Sequence, residues 1–215
     1  MSYAALMSIN HPERKKSATK AAAILEGARQ EFLAHGYAST SMDRVAASAG
    51  VSKATVYSHF RDKAGLFSAL VEQLAEDRFQ TMLFDPKDEN TLCGEPRVVL
   101  TNLAQRLLNA ASEDAQFCEF IRLIIGESSR FPELSEPYVK NVAKPLIEVL
   151  ARYLSSCETL KLDDPEAIAR TFVGTLIYFI LLQRVLGGAD LMPMESDRMV
   201  TTLVDLIASS GQFTD

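Results

Sequence analysis

Histidine is scarce in this 215-residue chain: His11, His35 and His59 are the only three, so residues 60–215 contain none. Imidazole is the usual proton shuttle and metal ligand near neutral pH, and its absence from most of the chain removes the simplest routes to acid–base and metal chemistry. No glycine-rich phosphate loop or metal-ligand spacing compensates, and no carboxylate pair stands apart from a solvated face, so neither metal nor cofactor is expected. The three cysteines, Cys93, Cys118 and Cys157, are odd in number and far apart. They read as small buried hydrophobes in a reducing cytosol. Long apolar runs are also missing. The opening "MSYAALMSINHPERKKSATK" has no sustained apolar segment and its cations follow the apolar part, so no signal peptide is expected. The longest run, thirteen residues between Arg170 and Arg184, falls short of the roughly 18 that cross a bilayer. A buried helix in a cytoplasmic protein with no membrane partner is expected. No segment alternates apolar with polar residues, so strands are not expected either.

What is present is a globular composition, 47% hydrophobic and 23% charged, which excludes a disordered or fibrous chain. Net charge is −6, but its distribution is uneven. Residues 11–63 hold nine Lys and Arg against five acids, a balance of +4, which leaves −10 for the rest. A basic head on an acidic body suggests a phosphate-docking surface joined to a module that repels phosphate.

Periodicity predicts an all-α fold of about nine helices. In the head, Ala21, Ile24, Leu25, Ala28 and Phe32 recur at helical spacing between Thr19 and His35, and Gly36 stops the helix. Thr40 and Ser41 offer caps for a short second helix, with Asp43 placed for a capping box. "AGVS" supplies a turn at Gly50, a core plug at Val51 and a cap at Ser52. Asp62 is placed to cap a long fourth helix from Lys63 towards Leu83. Beyond it, helices are predicted from Pro96 to Ala111, Glu113 to Ser129, Pro137 to Ser155 with a kink at Pro145, Pro165 to Gly187, and Glu195 to Ser209.

Within this pattern, "VSKATVYSHFRDK" sorts into faces as a helix starting at Ser52. Val56 and Phe60 lie one turn apart on an apolar side, Ala54, Thr55 and Ser58 lie roughly opposite, and Lys53, Tyr57 and His59 border that outer face. A small, hydroxylated face edged by cations can approach a grooved polyanion closely, and duplex DNA fits that description.

These residues sit in "FLAHGYASTSMDRVAASAGVSKATVYSHFRDKAGLFSAL", which resembles the DNA-binding domain of the tetracycline-repressor (TetR) family of bacterial transcriptional regulators. The "HGY", "AGVS", "VYSHF" and "DKAGLF" elements stand in the family's order and separation. The resemblance implies an arm over 1–18, a DNA-binding domain over 19–78 with its helix-turn-helix at 41–60, and a ligand-binding and dimerisation domain over 79–215. It makes Ser52 to Phe60 the recognition helix, with Lys53, Ala54 and Thr55 facing bases. Ser41, Tyr57, His59 and Lys63 match phosphate-touching positions, and Ser52 and Arg44 join the candidates. The partners it implies are a double-stranded operator, a second copy of the chain and a small-molecule effector.

The body resembles the family less specifically, its "FPEL" being similar to one subset of these regulators. Candidates for an effector cavity are Phe79, Phe84, Phe117, Phe120, Arg122, Tyr178 and Gln183. Those for a dimer contact are Phe172, Gly174, Leu176 and Phe179, on a helix apolar nearly all round. The leading function is thus a repressor that binds a near-palindromic operator as a dimer and is released by a small, largely apolar molecule. An enzyme using carboxylates, or a helical interaction module that kept the fold without DNA binding, stays open at this stage.

Overall fold

The computed structural model describes residues 12–83, 92, 94–113 and 115–210. Every regular element among them is helical: α1 Pro12–Ser39, α2 Met42–Ser48, α3 Lys53–His59, α4 Lys63–Leu83, α5 Pro96–Glu113, α6 Ala115–Glu127, α7 Ser135–Tyr138, α8 Lys144–Ser156, α9 Pro165–Ile180 and α10 Ser196–Ser210. Two compact units divide the chain after Leu70. Phe84, Cys93 and His11 lie outside the described residues, as do the side chains of Phe79 and Phe117.

The first unit closes around Ile24, Phe32, Val45, Val56 and Leu66, all fully buried. Phe32 stacks on Tyr37 at 5.6 Å between ring centroids, and Phe67 meets both rings edge-on. α1 starts earlier than its apolar periodicity indicated. Pro12 occupies a first-turn position that needs no amide proton, and "ERKKSATK", expected as an arm, continues the helix. At the other end Gly36, with φ 75°, breaks the helical path as expected. Ser41, not Thr40, caps α2, accepting from the Arg44 amide at 3.3 Å. Thr40 is buried and donates to the Glu31 and Gly36 carbonyls. Asp43 therefore falls one position short of a capping box and turns elsewhere. Ser52 caps α3 and Asp62 caps α4, through the Thr55 and Gly65 amides at 3.1 and 2.8 Å.

Gly27 sets how closely α1 approaches the end of α2. A Cβ there would lie 2.8 Å from the Ala49 nitrogen and 3.1 Å from its Cα, a clash with backbone. Gly27→Ala is expected to destabilise the head. Overpacking costs about 1–3 kcal/mol and outweighs the roughly 1 kcal/mol helix-propensity gain. A lowered urea midpoint checks this; a raised one would mean that the turn at Ala49 withdraws freely.

In the second unit α5 packs on α10 and α8 on α9, around Leu100, Leu103, Leu150, Leu154, Phe172, Leu176 and Val200. Arg97 on α5 pairs with Asp205 on α10. "FPEL" forms a 3-10 turn over Pro132–Leu134 that buries Leu134. The kink predicted at Pro145 appears as a π-helical segment, Val139–Ala143, immediately before α8, where the Lys144 amide reaches back to the Val139 carbonyl. Proline cannot donate to the preceding turn, and the widened segment absorbs the break. Asp164 caps α9 through the Ala167 amide, and α9 passes into a second π segment, Leu181–Val185, before Gly187 at φ 68°.

Pro165–Val185 is long and apolar enough to cross a bilayer by length and composition. Its Ala169, Phe172, Val173, Leu176 and Ile180 lie in the core of the unit, and core helices pass the same test. Phe172 and Leu176, expected to touch a partner, are 0% exposed within their own chain. On a helix apolar all round, the richest face went to the chain's own core. The outward side carries Gly174, Ile177 and Tyr178 instead.

Candidate nucleic-acid interface

Val56, fully buried, anchors α3 to the head. Opposite it, Ser52, Lys53, Ala54, Tyr57 and Ser58 are exposed, and Thr55 and His59 are half-buried. The short side chain of Ala54 lets the helix approach a surface closely. The hydroxyls are held in place: Ser52 Oγ lies 2.8 Å from Thr55 Oγ1, and Ser58 Oγ donates to the Thr55 carbonyl at 2.8 Å. Ser41, Asp43 and Arg44, at the start of α2, are exposed as well. The His59 Nε2 is buried without a hydrogen-bond partner among the described residues, which places half of that ring in the head's interior.

Two of the expected contacts have partners the sequence did not indicate. Lys53 Nζ lies 2.7 and 2.9 Å from the two carboxylate oxygens of Asp43, joining the start of α3 to the first turn of α2. The hydrogen bond to that carboxylate, reinforced by its charge, holds the ammonium above the usual lysine range. Lys63, expected at a phosphate, turns inward. Its Nζ donates to the carbonyls of Tyr37 at 2.7 Å, Thr40 at 3.0 Å and Ala38 at 3.3 Å, and sits 4.4 Å from the Tyr37 ring centroid. An ammonium has three protons, and here each has a carbonyl.

Residues 24–70 match the family of bacterial regulatory proteins of the tetR type, and residues 98–209 match the C-terminal domain of AefR-like transcriptional repressors. This chain belongs to the TetR family. YhgD of Bacillus subtilis, named an uncharacterized HTH-type transcriptional regulator, is 28% identical over 74% of this chain and 80% of its own. A putative TetR-family transcriptional regulator of Mesorhizobium loti superposes with TM-score 0.73 at 25% identity, covering 90% of this chain and 97% of that one. The flavonoid-responsive regulator FrrA superposes with TM-score 0.72 at 28% identity, covering 89% and 96%. The protein is a ligand-responsive, DNA-binding transcriptional regulator, and the family assignment points away from enzymes.

In this TetR-family body the expected effector residues are dispersed. Phe120 is buried, and Arg122 donates to the Val185 and Arg184 carbonyls at 2.7 and 2.8 Å, tying α6 to the π segment that follows α9. Gln183, also buried, donates to the Met192 carbonyl at 2.7 Å, while Tyr178 is 62% exposed on the surface of α9. Gln183 and Phe179 meet in an open cleft of about 340 Å³ with Ser112, Arg184 and Met194. A second open cleft, about 570 Å³, runs along Ala143, Ile147 and Ala151 of the α8 region to Arg170 of α9.

Proposed function

We propose that this regulator is a repressor that binds a near-palindromic operator as a homodimer, through α3, and leaves it when a small, largely apolar molecule enters the body. The observation that carries the reading is the outer face of α3, small and hydroxylated over a fully buried Val56, with Lys53 and Tyr57 exposed at its border. Within it, Lys53 and Thr55 meet base edges, Ser41, Arg44, Ser52 and Tyr57 touch the backbone, and Lys63 positions the head without touching DNA. Ile177, Tyr178 and Leu206, exposed by 40, 62 and 66% on the last two helices, favour a dimer contact there. A soluble, cytoplasmic regulator accords with these features. The name of FrrA, whose chain is 28% identical, favours planar phenolic molecules as the effector class.

Effector and operator binding are then linked, and linkage is reciprocal: each weakens the other by the same factor, typically about 5- to 150-fold. Titrating flavonoids that shift the melting temperature, with and without selected operator, tests this. Equal effector affinities in both states would remove the switch and leave a DNA binder.

A further inference from the structure

Lysine alone is a poor reader of sequence. Its ammonium is a compact point charge that donates to any acceptor in reach, whether guanine O6 and N7, adenine N7 or thymine O4. In this head Lys53 is held at 2.7 and 2.9 Å by Asp43, and both side chains are more than half exposed at 59 and 62%. Asp43 lies one position after buried Met42 in α2, and Lys53 opens α3. The pair thus presents a donor beside an acceptor at the border of the face assigned to the groove. A carboxylate at that place is otherwise a cost, because it faces a polyanion and has no proton to give.

A G·C pair presents the complementary edge. In the major groove guanine shows the acceptors O6 and N7, and cytosine shows the N4 amino donor beside O6. Those two edge groups are hydrogen-bonded to each other, so they stand about 2.9 Å apart, the spacing of the Lys53–Asp43 contact. We propose that Asp43 and Lys53 read one G·C pair as a unit, Lys53 donating to the guanine and Asp43 accepting from the cytosine amino group. This rests on the reading that α3 enters the major groove. Placed on A·T in the same orientation, Lys53 meets the adenine amino group and Asp43 meets thymine O4, donor against donor and acceptor against acceptor. Asp43 therefore lowers affinity for every duplex and lowers it most for the wrong ones, which is how a repulsive element produces specificity.

The test uses the full-length protein and the duplex it selects from a random pool, with each G·C position of a half-site changed in turn. Wild type should discriminate G·C from A·T at one position by about 5- to 150-fold, the range for a good bidentate contact. In D43A binding to non-specific duplex should tighten about threefold or more at low salt, while that one preference falls to within about twofold. K53A should lose the same preference, and the double variant should lose no more than either single one. D43N, able to bond adenine N6 and N7 together, should move the preference towards adenine. The proposal is overturned if D43A tightens binding yet keeps every base preference, which leaves Asp43 a charge and nothing more. It is equally overturned if D43A weakens binding to all duplexes alike, which makes the carboxylate a support for Lys53. A wild-type protein that selects no duplex would instead overturn the DNA-binding reading beneath it.

Discussion

Lys63→Ala is expected to lower the stability of the head by about 2–4 kcal/mol while leaving the salt dependence of DNA binding unchanged per folded molecule. The kink at Gly36 ends the helical path of α1, and the carbonyls of Tyr37, Ala38 and Thr40 converge on one ammonium at 2.7–3.3 Å. Hydrogen bonds to a charged group contribute about 1.5–3 kcal/mol each, and water can replace part of the set at the exposed Ala38 end. Lys63→Met keeps the apolar stem against Tyr37 and loses the donors, so it isolates the hydrogen-bonding share. A phosphate contact would behave in the opposite way. Alanine would then leave the denaturation midpoint alone and reduce the slope of log affinity against log salt by about one unit. Chemical denaturation together with a salt titration separates the two outcomes. Affinity for all duplexes falls in both cases, so affinity alone does not distinguish them.

Tyr178→Asp is expected to give a folded monomer whose operator affinity is reduced by about 10²- to 10⁴-fold. Tyr178 is 62% exposed, and the Cβ position of nearby Gly174 has nothing within 4 Å, so this side of α9 is open to a partner backbone. A charge there leaves the chain's own core intact but opposes burial at a dimer contact. Two linked heads gain over one by the effective concentration of the second, and separating them forfeits that gain. Leu176→Ala is the informative contrast. Leu176 is 0% exposed, so its truncation should cost about 2–5 kcal/mol of folding stability without acting on a partner directly. If Tyr178→Asp sediments as a dimer at micromolar concentration, the contact lies elsewhere.

Local signals in the sequence were read most successfully. The caps at Ser52 and Asp62, the helix stops at Gly36 and Gly187 and the turn at Gly50 are set by neighbours within four residues, and each stands where the sequence indicated. So does the break before Pro145, although proline chemistry does not say that a π segment will absorb it. Contacts between distant residues were not legible. Nothing near Lys63 in the chain signals that carbonyls 23–26 residues earlier will surround it, and Asp43 and Lys53 meet only because α2 and α3 fold together. The same holds for Arg122, which ties down carbonyls 62 and 63 residues away. Periodicity showed that Phe172 and Leu176 share a face of α9, but an all-apolar helix does not declare which face its own chain will use.

Selection of bound duplexes from a random pool by the full-length protein tests the central claim most directly. The expected result is an enriched pair of inverted half-sites with centres about one helical turn, roughly 34 Å or 10 base pairs, apart or a multiple of that. That outcome would show sequence-specific binding and a two-fold arrangement of the α3 helices together. Absence of any enriched sequence at low salt would contradict it, as would isolated half-sites with no fixed spacing.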